Sequence, residues 1–363
     1  MIKTWYFVFI EYPDRKPPDI LDPEESSRAF AWYLDLCPLL EQRGFEGVFF
    51  SEHHFFGNLS PSPNLLVAAA AGRTRQLRLG VLGEVLPLHH PFRVAEELAM
   101  LDHLTGGRLE IGYASGTGPS EGKSIGLSAD EMRPRFEEAI EIIDLALAEP
   151  NFSYSGKFWK FENLTITPRL RQKAPVKWMV GRSPETATLA ARRGYRFCSG
   201  NSSTEYIRGS FDAYREAARA AGNPAGPDRL AIRRQTLVCD SDSEAEALLK
   251  EVLPLHIERV NDLFERRRLA QSGGSDTAPM DKSYKTIDAP TTPSLMQLLY
   301  SEKDEQIVGS PKSVAEQIID QCRRIGAGHF VPHTFFTLTP QEATRNYELW
   351  RDVNAILAKA DIA

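Results

Sequence analysis

Cysteine is scarce: Cys37, Cys198, Cys239 and Cys322 stand far apart in 363 residues and form no CxxC pair. That spacing excludes a zinc knuckle and a disulfide framework and fits a reducing cytoplasm. Charge of one sign is not concentrated either. The formal net charge is -6, and Lys and Arg are scattered apart from Arg266-Arg267-Arg268, so a nucleic-acid footprint is not expected. No apolar stretch approaches the ~18 residues that a membrane span requires. The run Thr4 to Ile10 imitates the apolar part of a secretion signal, but Glu11, Pro13, Asp14 and Arg15 follow where small cleavage-site residues belong. It reads as a first strand.

Several chemical signatures are missing too. The small-residue loop Gly112 to Gly118 lets backbone approach a flat ligand, but it lacks GxGxxG order and an acidic residue at ribose spacing. A nicotinamide-type Rossmann site is excluded. There is no P-loop, no GxSxG elbow and no HExxH helix. His53 and His54 are adjacent, and neighbouring side chains of a strand point to opposite faces, so one ion cannot easily take both. No metal is expected.

What is present is the composition of an ordinary globular protein, 42% hydrophobic and 25% charged. Apolar strand-like runs at Thr4–Ile10, Val48–Phe50, Leu77–Pro87, Arg108–Tyr113, Val176–Val180, Tyr195–Cys198 and Ile232–Val238 alternate with amphipathic helical patterns. A last helix-and-strand pair spans Ser313–Phe335, and a terminal helix follows. Gly44 and Gly106-Gly107 stop helices, Asn64 reads as a helix cap, and Phe152–Lys173 reads as a hairpin around Gly156. Repeated strand-helix order with eight strands indicates an α/β fold, a (β/α)8 TIM barrel with insertions, here as a single domain over residues 1–363. The polar, Pro- and Gly-containing segment at about 271–301 reads as a mobile lid.

Two stretches carry chemistry. Gly47 to Phe50 is a buried strand that delivers Ser51, Glu52, His53 and His54 to its C-terminal end, where parallel α/β proteins build active sites. Gly181-Arg182-Ser183-Pro184-Glu185-Thr186 runs from a strand straight into a helix start, with Ser183 at the N-cap and Pro184 next. It reads equally as an anion site or as a plainly capped helix. His89-His90 before Pro91 reads as a helix-opening turn. The aromatics Trp5, Phe7, Phe49, Phe55 and Phe56 near strand ends suit an apolar substrate, and core packing explains them equally well.

Taken together, Ser51-Glu52-His53-His54-Phe55, Val85 to Glu97, Leu101 to Arg108, Arg182 to Thr186 and Val308-Gly309-Ser310-Pro311 resemble the bacterial luciferase-like flavin monooxygenases. The resemblance covers nearly the whole chain. It implies FMN at the C-terminal strand ends, with the phosphate at Gly181, Arg182, Ser183 and Thr186. It also implies a non-prolyl cis peptide at Leu82-Gly83 under the flavin, His53 as catalytic base, and His54 and Glu52 near the ring. Ala114 and Ser115 would flank the cofactor where luciferase carries a reactive cysteine and a phosphate-binding arginine, so light emission is not implied. Arg182 then leaves the phosphate one cation instead of two.

The implied reaction takes reduced FMN from a separate NAD(P)H-dependent flavin reductase and uses O2, through a flavin peroxide, to oxygenate a small apolar organic substrate. A cytoplasmic homodimer is implied with it. Two other readings stay open: a deazaflavin-dependent dehydrogenase on the same barrel, and a non-catalytic flavin-binding partner subunit.

Overall fold

The computed structural model describes residues 1–12, 14–15, 21–55, 58–116, 119–271 and 305–361, without the side chains of 119–120 and 262–271. Apart from its first position, the expected lid at 271–301 lies outside the described residues, as does Phe56.

Eight parallel strands pair in chain order: β1 (Lys3–Val8), β2 (Gly47–Phe50), β3 (Arg78–Val81), β4 (Leu109–Ala114), β5 (Lys177–Val180), β6 (Arg196–Gly200), β7 (Leu230–Val238) and β8 (His329–Thr334). Lys3 opposite His329 and Thr4 opposite Phe330 close the ring, so the fold is the expected (β/α)8 barrel. Gln306–Gly309 adds a short strand along the upper half of β7, and Phe152–Ser155 with Lys160–Leu164 forms the expected antiparallel hairpin. Among the described residues no helix is long and apolar enough to cross a membrane.

Alternation along each strand explains the two cores. Outward residues such as Tyr6, Val8, Val48, Phe50, Leu79 and Ile111 are buried under the helices, where each large apolar side chain contributes ~1.5–3 kcal/mol. Inward residues Trp5, Phe49, Trp178, Cys198, Ala231 and Val331 fill the barrel. Trp5 stacks on Phe49 with ring centres 5.0 Å apart and meets Trp178 at 5.5 Å. The indole of Trp5 donates to His329 Nδ1 at 2.9 Å, and that of Trp178 to the buried Glu110 at 2.5 Å. Trp5 and Phe49 are therefore packing residues rather than a substrate wall. Phe7 is also buried, and Phe55 turns out to solvent.

Two local expectations are corrected. Leu77–Pro87 is not one strand: β3 stops at Val81, the Leu82-Gly83 peptide is cis as expected, and Glu84–Val85 resumes as a separate strand on Tyr113 and Ala114 of β4. Asn64 is not a cap. Ser62 holds that position, Pro63 already opens the helix, and the Asn64 amide donates to Glu84 and Glu97 at 3.3 and 3.2 Å.

Candidate active site

The residues that the resemblance assigns to catalysis and to the cofactor sit at the C-terminal ends of four neighbouring strands. Glu52 and His53 follow β2, Leu82-Gly83 follows β3, Ala114 and Ser115 end β4, and Gly181 to Thr186 follow β5. Hydrogen-bonded pairing of β2 with β3, β3 with β4 and β4 with β5 makes these ends one continuous arc of rim.

At one end of the arc three donors converge on the buried Glu52 carboxylate. His54 Nε2 and His89 Nε2 each lie 2.7 Å from Oε1, and the Val85 N–H donates to Oε2 at 2.9 Å. Burial alone would raise this carboxyl, but the bonds from His54 and His89 outweigh it and hold Glu52 below the usual carboxylate range. Burial opposes the charged form of His89 as well, and the Glu52 contact overcomes it, raising His89 to about 9. Glu84 responds in the opposite way to its neighbours: fully buried, its carboxyl is pushed up to about 8. The candidate ligand atoms of Glu52, His54 and His89 lie within 4.8 Å of one another. At 2.7 Å the imidazole contacts have the length of charge-assisted hydrogen bonds.

His53 turns away from this cluster, as alternation along an extended segment requires. Its ring packs on Phe9 with centres 4.6 Å apart, and its Nδ1 lies 3.8 Å from Glu121 Oε1. Glu121 is buried, and the same carboxylate accepts the His54 N–H at 3.2 Å. A buried carboxylate therefore stands beside the imidazole.

At the other end of the arc, Ser183 caps the helix Pro184–Arg192 by accepting the Thr186 N–H at 3.3 Å. A side chain at Gly181 would place Cβ 2.7 Å from Thr186 Cγ2, so only glycine lets the strand turn this tightly into the helix. The Ser183 and Thr186 hydroxyls lie 3.3 Å apart. Arg133, from the helix Ala129–Ala148, reaches Thr186 Oγ1 at 3.3 Å. Arg133 also pairs with Glu137, so a second guanidinium stands beside the Ser183 and Thr186 hydroxyls together with its own carboxylate. Arg182 is half-buried, and its guanidinium has no carboxylate or carbonyl partner among the described residues.

Between the two ends Gly83 lies flat against β4, where a Cβ would meet the Tyr113 carbonyl carbon at 2.5 Å. Val85 pairs beside Ala114, with half-buried Ser115 next to it. Two cations, two hydroxyls and a helix N-terminus at one end, joined by bare backbone to an imidazole at the other, fit a flat ring carrying a phosphate tail.

Sequence reasoning missed His89, Glu84, Glu121 and Arg133. The His-Pro turn was visible but looked structural, and nothing local marks Arg133 or Glu121.

The family model described as luciferase-like monooxygenase matches residues 13–329. The FMNH(2)-dependent dimethylsulfone monooxygenase of Pseudomonas putida is 26% identical over 306 residues, 80% of each chain. The oxygenase component of the flavin-dependent trigonelline monooxygenase of Acinetobacter baylyi is 28% identical over 245 residues, covering 64% of this chain and 66% of that one. In structure, the chain resembles the oxygenating constituent of 3,6-diketocamphane monooxygenase from Pseudomonas putida, solved with FMN, at a TM-score of 0.75 and 21% identity over 99% of each chain. With family match, barrel and site agreeing, this chain belongs to the luciferase-like monooxygenases.

Proposed function

We propose that this chain is the oxygenase of a two-component, FMN-dependent monooxygenase that inserts one atom of O2 into a small organic substrate. The observation that supports the reading is the arc itself, in which the capped helix start after β5 and the imidazole after β2 belong to one run of four hydrogen-bonded strand ends. Ser183, Thr186, Arg182 and Arg133 would hold the FMN phosphate, and Leu82-Gly83 with Ala114 and Ser115 would support the ring. Bound in reduced form, FMN supplies the electrons that activate O2. His53 gives or takes a proton at Nε2 or Nδ1 near neutral pH, with Glu121 fixing its orientation. Glu52 ties His54, His89 and Val85 together and so locks the segment that carries His53.

The absence of a nicotinamide fingerprint, and a relative described as an oxygenase component, support reduced flavin arriving from a separate NAD(P)H-dependent reductase. Four free, buried cysteines suit a cytoplasmic protein. A homodimer completes the proposal, and sedimentation would test it.

The deciding experiment supplies reduced FMN from an added reductase under 18O2 and screens small organic compounds by mass spectrometry. One labelled oxygen atom in a product is expected, lost in His53→Gln with FMN binding intact. Hydrogen peroxide as the sole oxygen product across the screen would support a non-catalytic flavin-binding subunit. Tight binding of a deazaflavin in place of FMN would support the dehydrogenase.

A further inference from the structure

We propose that Gln235 and His333 form a substrate-recognition pair at the barrel mouth and accept hydrogen bonds from an O–H or N–H group, so that the enzyme takes a neutral alcohol, phenol or amide rather than a bare hydrocarbon. This rests on the monooxygenase reading, which assigns the barrel mouth to the substrate.

Gln235 of β7 and His333 of β8 stand opposite each other in the strand register. Alternation points both inward: Ala231 and Val331 earlier on the same strands fill the barrel, whereas Arg234 reaches out to Gln321 and Thr204, each at 3.0 Å. The packed layer ends just below the pair. Val331 is buried, and His333 is the first half-buried side chain along β8.

Both side chains keep an acceptor unmatched. Gln235 is buried, its amide nitrogen lies 2.9 Å from His256 Nε2, and its Oε1 has no hydrogen-bond partner. Burial, reinforced by Arg233 and His256, holds the His333 imidazole well below the usual histidine range and therefore neutral. A neutral imidazole carries one N–H and one bare nitrogen. The Arg234 carbonyl accepts from the ring, and Nδ1 is buried with no hydrogen-bond partner. Two acceptors side by side and closed off from water call for a donor. An ammonium would be stripped of water against neutral acceptors, and a carboxylate has no hydrogen to give, so a neutral O–H or N–H is the fitting group.

Aromatic side chains of the mouth link this pair to the proposed reacting end. The His256 ring beside Gln235 lies 4.9 Å from that of Phe336, Phe336 lies 5.6 Å from Phe9, and Phe9 lies 4.6 Å from His53. Phe9 and Phe336 are only half-buried, so an apolar body can lie over them. A substrate held at its polar group by Gln235 and His333 would then turn its far end to His53.

The test titrates phenol against anisole, and cyclohexanol against its methyl ether, by calorimetry into FMN-loaded protein and into protein without FMN. At least one hydroxyl compound should bind about tenfold or more tightly than its ether, which has the same body and no donor. His333→Phe and Gln235→Met should each remove most of that preference, His333→Asn, which still offers an acceptor, should keep part of it, and FMN affinity should stay unchanged in all three. Should His333→Phe fail to fold, Gln235→Met and His333→Asn decide. No binding or no preference in the unmodified protein, full preference in His333→Phe or Gln235→Met, or loss of FMN binding in a folded variant would overturn the proposal. If the unmodified protein fails to bind FMN, the flavin reading falls, while the titration without FMN still decides the recognition pair.

Discussion

Replacing Glu52 with Gln keeps the shape of a side chain on which three donors converge and removes its charge. The amide offers one acceptor oxygen, so either the Val85 N–H or the two imidazoles must face an NH2 group. Losing a hydrogen bond to a charged acceptor costs ~1.5–3 kcal/mol. The ion pair with His89 adds to this. Raising His89 from 6.5 to about 9 bounds that share at ~3.4 kcal/mol, and solvent around a side chain 28% exposed brings it to ~2 kcal/mol. Because the folded pKa stands above the unfolded one, this share is complete below about pH 6.5 and disappears as the pH climbs through about 9. Urea unfolding should therefore find Glu52→Gln less stable by ~3–5 kcal/mol near pH 6. The difference should shrink by ~2 kcal/mol near pH 9.5, once His89 has lost its proton in both proteins. An equal loss at the two pH values, or an NMR titration of His89 centred near its ordinary value, would refute the reasoning.

Arg182→Ala and Arg133→Ala should each weaken FMN binding by ~1.5–3 kcal/mol in a fluorescence titration, and unchanged affinity in either would remove that residue from the phosphate site. Gly181→Ala forces a methyl to within 2.7 Å of Thr186 Cγ2, so it should cost ~1–3 kcal/mol of stability and loosen FMN, and a melting temperature equal to that of the unmodified protein would contradict the tight turn. Glu121→Gln should lower turnover while leaving FMN affinity alone, and unchanged turnover would free His53 from Glu121.

The barrel could be read in the sequence because its strands are short apolar runs punctuated by residues with one structural use. Gly106 and Gly107 end their helix with positive φ values of 69° and 85°, and Pro184 opens its helix behind a capping serine, as the local chemistry requires. The proposed phosphate cradle is half legible for the same reason. Its second cation was not, since Arg133 lies 53 residues from Thr186 in the chain and looks like any helix-surface arginine. His89 stayed hidden because its meaning depends on the turn Leu86–Leu88, which carries it back onto a carboxylate 37 residues earlier. Trp5 shows the limit of alternation. Its inward direction was predictable, but its burial follows from register, which sets it opposite Gly47, where a Cβ would lie 2.6 Å from the indole.

A crystal structure of the protein with FMN tests the central claim most directly. The account predicts the phosphate within hydrogen-bond reach of Ser183, Thr186, Arg182 and Arg133, and the ring over Leu82-Gly83 beside His53. Flavin density at the opposite end of the barrel, or a phosphate bound away from the Gly181 to Thr186 turn, would contradict it.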